Sequence, residues 1–98
     1  MKKIVYGDGI KQDASLIAFA ERAAPILEEV LGQSASNVEA QWDRLVDEGG
    51  RTLVTLRISD WTGTAGGKFH PWETELSIRP RLYHLWGDLL AQRSVASF

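Results

Sequence analysis

Along this chain, apolar residues recur first at helical and then at alternating spacing. Leu16, Phe19, Ala20, Ala23, Ile26, Leu27, Val30 and Leu31 share one helical face, which predicts an amphipathic helix over residues 14–31. Asp13 or Ser15 is placed to cap its start and Gly32 to end it. Pro25 lacks a backbone donor and crowds the preceding turn, so a kink or break is expected near Ala23 and Ala24. Residues 33–37, Gln-Ser-Ala-Ser-Asn, read as a loop.

From Val38 onward the period is two. Val38, Ala40, Trp42 and Val46 point one way, and Glu39, Gln41, Asp43 and Asp47 the other. Thr52, Val54, Leu56 and Ile58 supply the matching face of a second strand. A two-residue loop at Glu48-Gly49 would set Trp42 opposite Thr55 and Val46 opposite Arg51, mixing buried with solvated positions. A three-residue loop with Gly50 in the left-handed conformation pairs Val46 with Thr52, Arg44 with Val54, Trp42 with Leu56 and Ala40 with Ile58. It also sets Asp47 against Arg51, Gln41 against Arg57 and Glu39 against Ser59 on the solvated side. Leu45 opposite Leu53 is the one apolar pair there, which predicts partial cover of that face.

Asp60-Trp61-Thr62-Gly63 carries turn residues at first and fourth position. A third strand should follow, with Ala65, Gly67 and Phe69 beside Ile58, Leu56 and Val54. Gly66-Gly67 predicts a bulge, or else a close approach by a backbone or ligand. His70-Pro71-Trp72-Glu73 reads as a short helical turn, Ser77 and Ile78 as an irregular link, and Pro80 as the opening of a last helix that buries Leu82, Leu85, Trp86 and Leu89. Gly87 costs about 1 kcal/mol relative to Ala in a helix interior, so a close-packed neighbour is expected there.

The expected fold is a two-layer α+β domain: a three-stranded antiparallel meander with a long helix before it and another after it (α-β-β-β-α). Both helices should cover the sheet face carrying Val38, Trp42, Val54, Leu56 and Ile58. Residues 1–98 read as one domain, with residues 1–12 an arm or short strand. Ile4, Val5 and Tyr6 are suited to pair with an edge of this sheet or of another copy. The tail from Ser94 to Phe98 frays or docks through Phe98.

Composition narrows the class. At 98 residues, 44% hydrophobic and 24% charged, the chain falls outside disordered, collagen-like and membrane compositions. Having no cysteine, it can form neither a disulfide nor a thiolate metal site and offers no cysteine nucleophile. Met1-Lys2-Lys3 is basic, but the apolar run behind it meets Gly7-Asp8-Gly9 too soon for a signal peptide, so a cytoplasmic protein is expected. The net charge of −2 gives no general attraction to nucleic acid or anionic membrane. Residues 1–49 hold five basic and nine acidic side chains and residues 50–98 six and four, which suggests a basic face on the second half that meets an acidic partner or another copy.

Candidate chemistry is sparse, and neither metal nor cofactor is expected. The two histidines, His70 and His84, show no ligand spacing. His84 with Asp88 is the nearest approach to a base and its orienter, yet no nucleophile motif accompanies it, and Ser94 and Ser97 are close in sequence only. Asp60, Glu73 and Glu75 have structural explanations at a turn and a helix start. Gly7-Asp8-Gly9 lacks the later glycine of a dinucleotide fingerprint. Arg79, Arg81, His84 and Arg93 with aromatic neighbours suit nucleic acid, but no recognised motif joins them.

Trp42 and Trp86 belong to apolar faces. Trp61 and Trp72 fall in turns, where a large ring either folds over the core, the outcome expected of a small domain, or is presented for recognition. These features together lead to a non-catalytic interaction or regulatory module that works through a protein partner or self-association, with Trp61, Trp72, Arg57 and Lys68 as its patch. The alternative is an anion or small-molecule site built from Gly66, Gly67, Lys68, His70 and Arg79. An enzyme using His70 or His84 as base ranks third.

Overall fold

The structure, a computed structural model, describes residues 1–96. Strand β1 (Lys3–Tyr6) leads through a short helix α1 (Asp8–Lys11) to the long helix α2 (Ala14–Leu31) and a 3-10 segment (Gly32–Asn37). Strands β2 (Glu39–Val46), β3 (Thr52–Asp60) and β4 (Gly63–Phe69) precede helix α3 (Glu75–Ala96). The α+β class and the helix-meander-helix order are those expected, but the sheet has four strands, ordered β1-β2-β3-β4. Ile4, Val5 and Tyr6 pair in parallel with Ala40, Gln41 and Trp42, and α1 and α2 form the crossover that a parallel pair requires.

The β2–β3 register is the one argued from the sequence: Ala40 opposite Ile58, Trp42 opposite Leu56, Arg44 opposite Val54 and Val46 opposite Thr52. Gly50 has φ 78°, the left-handed conformation its loop demands. Across the next turn Ala65, Gly67 and Phe69 lie beside Ile58, Leu56 and Val54, again as expected. The ladder runs through Gly66 and Gly67 without the predicted bulge. Gly67 faces the Leu85 side chain of α3, which a Cβ there would meet at 3.4 Å, an ordinary packing distance.

Neither proline ends or opens a helix: of the kink or break expected near Ala23 and Ala24 the break does not occur, and Pro80 does not open the last helix. The α2 helix passes unbroken through Pro25, and α3 begins at Glu75, so Pro80 lies inside it and Ser77 and Ile78 are helical. Each proline sits on a solvated face. The carbonyls deprived of a donor, those of Glu21 and Leu76, belong to exposed residues, and the packed face keeps each helix together. Residues 70–73 form a turn closed by the Glu73 N–H on the His70 carbonyl, not a helical turn. Gly87, expected against a neighbour, is exposed and nothing lies within 4 Å of the position its Cβ would take. Of the predicted tail, Ser94 to Ala96 continue α3, while Ser97 and Phe98 lie outside the described residues.

The core lies between one sheet face and the helices α2 and α3. Phe19 of α2 presents an edge to Trp42 (ring centroids 6.4 Å apart) and lies 5.8 Å from Phe69, tying β2 and β4 to the same helix. Ile78, Leu82, Leu85 and Leu89 of α3 are buried. Gly7 lets α1 start hard against β2, since a side chain there would overlap Asp43, and this accounts for a glycine in Gly7-Asp8-Gly9. No helix covers the other sheet face, where Leu53 is buried and Leu45 half-buried. No helix among the described residues is long and apolar enough to cross a membrane.

Candidate functional site

The sequence-predicted residues other than Arg79 lie on or beside β4 and divide into two groups. Arg57 of β3 pairs in register with Gly66, and Thr55 with Lys68, so Arg57, Gly66 and Lys68 share the uncovered sheet face. They line a shallow depression of about 350 Å³ with Asp43, Thr55 and Thr64. Gly66 leaves its floor free of side chain. Arg57 donates to the Gln41 side chain, which donates to Asp43 at 2.9 Å, so the guanidinium is held flat across β2. Lys68 is exposed and pairs with no carboxylate among the described residues.

β4 is an edge strand. The Gln92 side chain of α3 accepts the Thr64 N–H at 3.1 Å and donates to the Thr64 carbonyl at 2.8 Å, so the backbone of Thr64 faces away from β3. Alternation along an antiparallel strand turns the N–H and C=O groups of Gly66 and Lys68 to the same free side. A groove of about 230 Å³ runs beside them between β4 and α3, lined by Gly66, Phe69, Pro80, Arg81, His84 and Leu85. Trp61 and Trp72 mark the two ends of this strand at 75% and 74% exposure. Neither ring folds back over the core as expected, and the length of β4, about 20 Å at a strand's rise per residue, separates them. They bracket one edge without forming a contiguous cluster.

The anion set does not assemble. Gly66 and Lys68 face outward while Gly67 faces Leu85. His70 stacks on Trp72 with centroids 4.9 Å apart. Arg79 lies at the junction of α2 and α3, where it donates to Glu29 at 2.8 Å and to Glu75 at 2.6 Å, and these bonds raise its already high pKa.

The remaining charged candidates serve the fold. Asp60 accepts the Thr62 N–H and Arg93 Nη2, each at 2.8 Å. Burial alone would raise its carboxyl, but the bonds from Arg93 and Thr62 hold it below the usual carboxylate range. Glu73, buried at 7% exposure, accepts the His70 N–H at 2.6 Å and Arg81 Nη1 at 2.8 Å. Its carboxyl, also pushed up by burial, is drawn below normal by Arg81 and the His70 N–H. Arg81 in turn lies 4.2 Å above the Phe69 ring. Two ion pairs thus clamp the ends of α3 over β4, and Arg79, Arg81 and Arg93, the arginines of the nucleic-acid reading, all end on carboxylates of the chain itself. Nothing local in the sequence announces these pairings.

No family model, curated protein or solved structure matches this chain. The residues themselves therefore carry the functional argument. His84 is exposed, with Asp88 3.7 Å away on the next turn. Neither His84 nor His70 hydrogen-bonds a hydroxyl among the described residues. Among those residues, no three His, Asp or Glu side chains group closely enough to hold a metal ion.

Proposed function

We propose that this domain is a non-catalytic protein-interaction module that receives an extended, acidic segment of a partner along the free edge and outer face of β4. The observation that carries the reading is the pair Trp61 and Trp72, both about three-quarters exposed and set at opposite ends of one edge strand. A small domain gains from burying every large ring, so two rings left in water at the ends of an open strand favour recognition. Strand addition supplies affinity through main-chain bonds. Gly66 and Lys68 offer those bonds, the absent side chain of Gly66 permits close approach, and Lys68 and Arg57 favour carboxylates.

The test is selection of binders from a displayed library of extended acidic peptides, followed by backbone amide spectra with the selected peptide. The expected result is a shift of the Gly66 and Lys68 amide resonances, and at least a tenfold loss of affinity in Trp61→Ala/Trp72→Ala with folding intact. An empty selection defeats the reading, as does binding indifferent to both tryptophans.

A further inference from the structure

The α3 helix is apolar on two sides. Opposite its buried row, Leu76, Pro80, Tyr83, Gly87, Leu90 and Ser94 follow one another at alternating steps of four and three, the spacing of a helix-pairing seam. No charge interrupts the strip, in which Leu76 is 89%, Tyr83 53% and Leu90 39% exposed. In the same layer α2 turns Glu21, Arg22, Glu28 and Glu29 to solvent, so the uncharged strip is particular to α3. Gly87, unfavourable in a helix interior, touches nothing in its own chain that would require a glycine.

We propose that a second copy of this chain covers the strip, the two α3 helices packing antiparallel with each Tyr83 seated over the partner's Gly87. This register also sets Pro80 level with the partner's Leu90 and Leu76 with the partner's Ser94. A bulky ring and a bare backbone four residues apart are self-complementary under a two-fold axis, as a symmetric interface requires. Polar pairing fits the same arrangement. His84 and Asp88 flank the seam, and the two-fold places them beside the partner's Asp88 and the partner's His84. The N-terminal end of each α3 lies beside the C-terminal end of the other, so opposite helix-dipole ends are side by side. The strip and its flank share Pro80 and His84 with the margin of the groove beside β4 but none of Trp61, Gly66, Lys68 or Trp72, and the inference does not rest on peptide binding at β4.

The experiment is molar mass by light scattering after gel filtration, at two concentrations about a hundredfold apart. Wild type should be dimeric at the higher concentration, and Tyr83→Glu and Leu90→Glu monomeric there, with circular dichroism unchanged. Because the chain has no cysteine, an equimolar mixture of Tyr83→Cys and Gly87→Cys chains reports the register even if the glutamate variants fail to fold. Random pairing gives mixed disulfide at twice the level of each homodisulfide, and the proposed register should raise that ratio at least several-fold under mild oxidation. A wild-type monomer at both concentrations overturns the proposal, as does a mixed disulfide at or below the twofold statistical ratio. A dimer lost in Trp61→Ala/Trp72→Ala but kept in Tyr83→Glu would move self-association to β4 and overturn the seam.

Discussion

The side-chain amide of Gln92 meets the backbone of Thr64 as a neighbouring strand would, accepting its N–H and donating to its carbonyl. One side chain of α3 thereby closes the first free position of the β4 edge and leaves Gly66 and Lys68 open. Gln92→Ala should speed amide exchange at Thr64 and lower stability by about 1 kcal/mol, the net worth of such bonds. The Ala65 amide, which faces β3, should exchange as before. Equal acceleration at both amides would mean that Gln92 stabilises the whole strand and does not cap its edge.

The Glu73–Arg81 pair fixes the other end of β4, where the buried carboxylate also holds the His70 N–H. Arg81→Met keeps the packing on Phe69 but leaves Glu73 unpaired, and should cost about 2 kcal/mol, reduced from the full penalty of a broken buried pair because Arg81 is partly solvated. Glu73→Gln retains an acceptor for His70 and should cost less. Thermal melts of the two variants decide the order, and a larger loss for Glu73→Gln would contradict this account.

These bonds also fix the response to acid. Asp60 and Glu73 have folded pKa values below the usual carboxylate range, so the unfolded chain takes up their protons first as pH falls. Their contribution is present in full above the unfolded pKa, about 4, and is lost as pH drops through the folded values. Stability to urea should therefore be flat in these two groups from pH 7 to 5 and decline below about 4. Asp60→Asn/Glu73→Gln should be less stable than wild type at pH 7 and converge with it in acid. Parallel pH profiles for the variant and wild type would exclude these two carboxylates as the cause.

The legible parts of the fold are those fixed by short-range rules. The β2–β3 register follows from the alternation of residues 38–46 and 52–58 and from the need for Gly50 in a left-handed turn. The start of α3 does not, because Pro80 carries the signal of a first helical residue although the helix already runs from Glu75. At the site, the register places Arg57, Gly66 and Lys68 on one face, and alternation is enough to see this. The exposure of Trp61 and Trp72 was not legible. It depends on what occupies the space beside each turn, and the clamps there, Asp60 with Arg93 and Glu73 with Arg81, join residues 33 and 8 positions apart. Sequence spacing has no means of choosing those partners. The same holds for the outward strip of α3, since a helix taken to begin at Pro80 omits Leu76 and shortens the seam.

The four tryptophans separate into three environments, and substitution should sort them. Trp42 is buried at the centre of the sheet against Phe19, so Trp42→Ala should cost about 3–5 kcal/mol. Trp86 is half-buried beneath the Arg93 guanidinium, 5.2 Å from its ring, and should fall between the extremes. Trp61→Ala should change stability by no more than about 0.5 kcal/mol, and Trp72→Ala should do so too apart from the loss of its stack on His70. Iodide, which quenches only solvated rings, should reach Trp61 and Trp72 and spare Trp42. Protection of Trp61 or Trp72 in concentrated wild-type protein, relieved on dilution, would place that ring in a contact between copies and draw the β4 edge into self-association. Protection that persists on dilution would mean that the ring folds against its own domain, and the argument for β4 as a recognition edge would lose its main support.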